Sequence, residues 1–313
     1  MSKPKLLIAD SGLGEPWLMP MFDQWFDCEN YRSDRVYNPN ILVVVDNRYD
    51  GLDLYNQIQA HGHRIVLPYL IDSNVNNPSK IINNELVLHA PDWVWIQESL
   101  HWRYLNYHQP RAPATPSRFF LLLMNIVRAH RDQLKKCVAP YLDQSLHSYV
   151  ERGVFLDGDE FVVGRLNAGT ANDRFYCAEW YAQTCFSLVA ETKVQHELFI
   201  SEKIFKPLAY NHAMIVLGTP GTLQYIRNLG FETFAHCIDE SYDQVLDYSA
   251  RLQKILDLLA DLYREFSTTG QVFQDTKTQA ILAHNHARFF DQAEICTRFQ
   301  TQIANPIMEF LES

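Results

Sequence analysis

Residues 186–218 read F-S-L-V-A-E-T-K-V-Q-H-E-L-F-I-S-E-K-I-F-K-P-L-A-Y-N-H-A-M-I-V-L-G, and they hold the densest set of groups able to do chemistry. Glu191 and Thr192 end one apolar run; Ser201, Glu202 and Lys203 open the next amphipathic one. Ser201 is a good helix N-cap, and Glu202 falls in the first turn, where the helix dipole favours an anion. Lys203 is in the same turn, where that dipole disfavours a cation, so its placement needs a reason. A phosphate would supply one, because a helix N-terminus and a fixed cation together hold anionic groups. Such a cation stabilises charge growing on a departing diphosphate more in the transition state than before it. A solvated pair with Glu202 or Glu197 is the alternative role for Lys203.

Two further groups could act with it. An apolar run over 119–123 leads to Asn125, and Arg128 and Arg131 follow three residues apart, on one face of an expected helix. Guanidinium groups suit bidentate phosphate contacts, although a basic solvated face fits the same pattern. In W-V-W-I-Q-E-S, residues 93–99, large apolar side chains alternate. That pattern predicts a strand delivering Glu98 to its end. A carboxylate beside indoles has its pKa raised by desolvation and could take a proton from an attacking hydroxyl. Trp95 and Trp102 could stack on sugar rings, or all three could be core. Asp157-Gly158-Asp159 has a D-x-D form but reads as a turn. His284 and His286, two apart, do not share a helix face, so no metal site is expected there. Asp10-Ser11-Gly12-Leu13-Gly14 is an incomplete glycine-containing βα turn.

The elements that must position these residues alternate. Strands are expected at 5–9, 41–45, 64–70, 86–89, 119–124, 186–190 and 213–217, and helices at 52–61, 126–141, 201–211 and 220–229. Residues 242–266 carry a 3.6-residue apolar period, and 276–312 are helical in composition. The Pro-rich stretch 109–117 is an extended interdomain linker or a loop within a domain. The fold class expected is α/β, with two Rossmann-like lobes and C-terminal helices.

The order strand, loop, helix, strand over 186–218 resembles the donor-binding signature of the α1,3/4-fucosyltransferase family, roughly F-x-x-x-F-E-N-S, a loop, T-E-K and an apolar strand ending in Gly. Glu191 stands at its Glu, Thr192 where Asn is usual, and Ser201-Glu202-Lys203 at T-E-K. Arg131, and less closely Arg128, resemble the basic segment that opens the family's donor domain, with Asn125 before them. Trp93-Val94-Trp95 with Glu98 and Ser99 resembles a W-V-W-x-x-x-E-S-P segment, one residue shorter here and with Leu100 for Pro. The resemblance implies the GT-B architecture, with residues 1–145 binding the acceptor and 146–290 the nucleotide-sugar donor. Residues 291–313 would pack back on the first domain. It implies an inverting transfer of a sugar, fucose first, from GDP-fucose to a glycan hydroxyl. The donor is a cosubstrate, and no metal or other cofactor is expected. Glu98 is then the general base, and Ser201, Glu202, Lys203, Glu191, Thr192, Arg131, Arg128 and Asn125 hold the donor.

Length and composition are compatible with this. The 313 residues suffice for two domains of about 100–200 residues, and 47% hydrophobic residues fill cores. A net charge of −10 argues against a chain that gains affinity from nucleic-acid backbones, so no nucleic-acid partner is expected. Six cysteines without paired spacing read as reduced thiols. With no h-region and no run of 18 apolar residues, the expectation is a cytoplasmic, bacterial enzyme without a transmembrane segment. A glycosyltransferase of DNA bases or other non-glycan acceptors, or an inactive nucleotide- or sugar-binding protein, are the rival readings.

Overall fold

The structure is a computed structural model. It describes residues 3–8, 18–30, 32, 35, 42–44, 58, 65–69, 79–82, 85–108, 115–154, 156, 178–195 and 197–313. The expected helix at 52–61, the turn at 10–14 and the D-x-D at 157–159 lie mostly or wholly outside these residues. The chain divides into two compact units, Met1–Asn106 with Phe290–Ser313, and Tyr107–Phe289. Each is α/β and Rossmann-like.

In the first unit, β1 (Lys5–Ile8), β2 (Asp27–Asn30), β3 (Leu42–Val44), β4 (Ile65–Tyr69), β5 (Lys80–Ile82) and β6 (Glu85–His89) form one sheet in the order β2-β1-β3-β4-β6-β5. All pairings are parallel except β5 with β6. Helix α1 (Met19–Phe22) precedes β2, and α2 (Trp93–Tyr104) follows β6. The second helix corrects the expected strand at 93–99. Big residues that alternate also fall on both sides of a helix, and a helix buried nearly all round carries no amphipathic signal. Nine of its twelve residues are buried.

The C-terminal helices belong to this unit. Phe299 packs edge-on to Phe22 at 4.9 Å and stacks on Trp25 at 5.3 Å. Asp92, just before α2, accepts hydrogen bonds from Arg298 and from Gln302 (2.5 Å). A buried carboxylate with two such donors fixes the returning segment in register, because leaving it unpaired would cost several kcal/mol.

The second unit holds β7 (Arg118–Met124), β8 (Leu146–Tyr149), β9 (Thr184–Ala190) and β10 (Ala213–Leu217), all parallel, in the order β10-β9-β7-β8. Helix α3 (Ala129–Cys137) follows β7, α4 (Ala178–Gln183) precedes β9, α5 (Glu202–Ala209) joins β9 to β10, and α6 (Thr222–Asn228) follows β10. Because β7 pairs with both β8 and β9, residues 118–145 belong here. That corrects the expected domain limit at 145. A strand's pairing partners, not its place along the chain, decide its domain. Phe119, Phe186, Tyr263, Phe266 and Phe273 form the aromatic core under this sheet. Each phenylalanine so buried contributes roughly 1.5–3 kcal/mol.

The long helix expected from 242 starts later. A 3₁₀ turn covers Glu240–Gln244, and α7 runs Tyr248–Thr269 with Asp247 as its cap. The break leaves Asp243 free to accept from the amides of Leu223 (2.9 Å) and Gln224 (3.2 Å) at the start of α6. Helix α8 (Thr276–Phe289) closes the unit. No helix among the described residues is long and apolar enough to cross a membrane.

Candidate active site

In the second unit the chain runs from β7 out to β8 on one side, then back past β7 to β9 and β10 on the other. The carboxyl ends of β7 and β9 therefore flank a topological switch point, where connections diverge and leave a crevice. Met124-Asn125 ends one strand and Ala190-Glu191 the other.

Arg131 bridges the two ends. One terminal nitrogen donates to Ile126 O at 3.0 Å, the other to Ala190 O at 3.2 Å, and the side chain is buried. His130, its neighbour, meets Glu191 O at 2.9 Å. Burial and the two adjacent arginines hold its pKa below the usual imidazole value. Arg128 precedes α3 and donates its amide to the Tyr149 hydroxyl at 3.3 Å. The Nε atoms of Arg128 and Arg131 are both buried without a hydrogen-bond partner. Burial first, and then the charge of Arg128, depress the pKa of Arg131. Two like charges held this close, each with a spare buried donor, are poised for an anion.

Glu191 is fully buried and wholly committed. Its Oε1 accepts from Ser201 N at 3.0 Å; its Oε2 accepts from Ser201 Oγ at 2.6 Å and Thr192 N at 3.0 Å. Burial pushes its pKa up, against the pull of Lys203. Ser201 also caps α5 by accepting from Lys203 N. Lys203 Nζ meets Glu202 Oε1 at 2.5 Å and Ser201 Oγ at 3.4 Å. The two charged side chains keep 21% and 17% of their surface. Burial raises the Glu202 carboxyl, but Lys203 and Lys206 overcome it and hold the pKa at about 2. Burial lowers the Lys203 ammonium, and Glu202 and Glu191 more than restore it. Gly218 follows β10 beside Glu191, and a Cβ there would lie 2.9 Å from Thr222 Oγ1 and 3.6 Å from the Glu191 side chain.

The structure thus gathers Arg128, Arg131, Glu191, Thr192, Ser201, Glu202 and Lys203 in the second unit, with Asn125 at the β7 end, where its carbonyl accepts from Glu151 N at 3.2 Å. The other expected residues belong to the first unit. Glu98 lies on α2 instead of a strand end, is 2% exposed, and accepts from Trp102 Nε1 at 2.9 Å. Trp95 and Trp102 are fully buried, which corrects the expectation of free sugar-stacking faces. Trp95 instead lies under the Arg298 guanidinium at 4.7 Å.

Three contributors were not singled out from sequence. His130 and Lys206 stood inside quoted segments. Arg251 occupies the buried stripe of α7 with Leu252, Ile255 and Leu259. It donates to Val245 O at 2.5 Å and to Val194 O, tying the loop after β9 to that helix. A charge on an apolar stripe was its one signal. His284 and His286 each meet a backbone carbonyl, of Gly230 and Tyr107.

The sequence matches no protein-family model and no curated protein. Among solved structures, it is similar to an α1,3-fucosyltransferase with GDP-fucose, at 10% identity over 93% of this chain and 92% of that one, TM-score 0.42. The same name with GDP matches at 11% identity over 94% and 93%, TM-score 0.44. The DNA-modifying enzyme β-glucosyltransferase matches at 9% identity over 99% and 100%, TM-score 0.44. At such values, the chemistry has to be read from this chain's own residues.

Proposed function

We propose that this chain is a nucleotide-sugar-dependent glycosyltransferase whose donor diphosphate is held by Arg128, Arg131 and Lys203 in the second unit. The observation that carries this reading is the pair of arginines at the β7/β9 switch point, each with a buried Nε lacking a partner. Lys203 stands in the same electrostatic network. Negative charge that develops on the departing diphosphate is stabilised by these fixed cations without reorganisation. They take the place of a divalent metal, so none is required. Glu191 serves the donor site through the loop it organises, its two oxygens accepting three hydrogen bonds from within the chain.

GDP-fucose is the donor proposed first, on the S-E-K resemblance, with inversion at the transferred carbon and a glycan hydroxyl as acceptor. Glu98 is proposed to take the acceptor's proton. We place the enzyme in the cytoplasm of a bacterium; the five described cysteines are free thiols, which is compatible with this.

The test is a panel of GDP-, UDP- and CMP-linked sugars and free nucleotides, read by thermal shift and donor hydrolysis. Stabilisation and turnover by GDP-fucose support the full reading. Stabilisation by another nucleotide sugar keeps the reaction class and replaces the donor. No response to any of them rejects the function.

A further inference from the structure

Away from the switch point, three side chains with different ligand atoms converge. His236 and Cys237 lie in the turn between α6 and the 3₁₀ turn at Glu240–Gln244, and Asp275 immediately precedes α8. A ring nitrogen, the thiol sulfur and a carboxylate oxygen all lie within 4.8 Å of one another. We propose that His236, Cys237 and Asp275 form a Zn²⁺ site that clips this turn to the start of α8, independently of the donor site.

The donor set selects the metal. Thiolate and imidazole favour zinc over magnesium or calcium, and three protein ligands with a water complete a tetrahedron. His236 Nε2 and Asp275 Oδ1, 3.2 Å apart, already have the spacing that bonds of about 2.0–2.2 Å require. The exposed Cys237 side chain turns to join them.

The surroundings are built for it. The Asp275 carboxylate is held by Thr278 N at 3.0 Å on one oxygen and Thr278 Oγ1 at 2.5 Å on the other, and Thr278 is fully buried. Orienting a ligand carboxylate in this way is what outer hydrogen bonds do at metal sites. Those bonds leave further lone pairs on both oxygens. His236 Nε2 lies 3.2 Å from Asp275 Oδ1, while its Nδ1 is buried without a hydrogen-bond partner. The ring is therefore not locked on both nitrogens. The Cys237 thiol has only weak hydrogen-bond neighbours, Phe234 O at 3.4 Å and Thr278 Oγ1 at 4.0 Å, so metal binding breaks no strong bond of the sulfur.

The experiment uses the full chain stripped with a chelator and titrated with Co²⁺, then Zn²⁺. The expected result is one equivalent of Co²⁺ giving a thiolate-to-metal charge-transfer band and the strong visible bands of tetrahedral cobalt, displaced by Zn²⁺. Cys237→Ser loses the charge-transfer band, and His236→Ala weakens binding by more than about tenfold. Zn²⁺ raises the Tm of the parent chain and of neither variant. Peptide mapping of alkylated protein gives a second readout: Zn²⁺ protects Cys237 in the parent chain, which needs no folded variant. No charge-transfer band in the parent chain, its persistence in Cys237→Ser, or unprotected alkylation of Cys237 at saturating Zn²⁺ would overturn the site.

Discussion

Ser201 and Glu191 are joined twice, by the serine amide to Oε1 at 3.0 Å and by its hydroxyl to Oε2 at 2.6 Å. The link fastens the start of α5 to the end of β9 and closes residues 192–200 into a loop whose two ends meet. Lys203 rides on that junction. The position of the cation is therefore a property of a buried carboxylate ten residues before Ser201.

Removing the hydroxyl tests this directly. Ser201→Ala loses the cap of α5 and leaves Glu191 Oε2 one donor short, so the denaturation midpoint should correspond to a loss of about 1–3 kcal/mol. Nucleotide affinity should fall with it. An unchanged midpoint in urea would show that the junction is held by the backbone alone.

Lys203→Ala should weaken nucleotide binding by about 10- to 100-fold, the usual worth of a hydrogen bond to a charged group. Its charge meets donor and transition state alike, so turnover should fall as well. Calorimetry with GDP and steady-state kinetics separate the two effects. Unchanged affinity would undercut the donor site itself.

Glu98→Gln keeps an oxygen able to accept from Trp102, so folding should survive. If Glu98 takes the acceptor's proton, kcat drops roughly 10²–10⁴-fold while nucleotide affinity stays near the parent value. Full turnover in this variant would leave the carboxylate with its indole bond and no part in the reaction.

His212 sets an acid limit on stability. Burial holds its pKa at about 4, against an ordinary 6.5. The ring meets Ser187 Oγ at 2.9 Å and Thr184 O at 2.8 Å, bridging β9 and the residue before β10. The unfolded chain protonates first, so the stability that the neutral ring supplies is complete above pH 6.5 and is lost as pH falls from 6.5 towards 4. Denaturation midpoints measured across this window should decline, and His212→Gln should flatten the decline. A parallel decline in the variant would assign it to other groups.

The second unit was largely legible in the sequence. The apolar runs ending at Ala190 and Leu217, the Ser201 cap and the polar loop between them are local signals, because strand pairing and helix capping act within a few residues. The clustering of Arg131 with Lys203 was only implied. It follows from β7 and β9 being neighbours across a switch point, which is a matter of strand order and not of spacing along the chain.

Residues 93–104 show where local reading fails. Alternation favoured a strand for Trp93 to Ser99, but burial nearly all round stabilises a helix there, and periodicity cannot tell these apart in a short apolar segment. The same burial leaves Trp95 and Trp102 no exposed ring face. The assignment of β7 to the second unit, the return of Phe299 to the first, and the meeting of His236 and Cys237 with Asp275 belong to tertiary structure alone. Residue types and local capping were written in the sequence; which distant side chains share a carboxylate, a carbonyl or a common void was decided by packing, because such contacts gain their energy only once the intervening chain has folded.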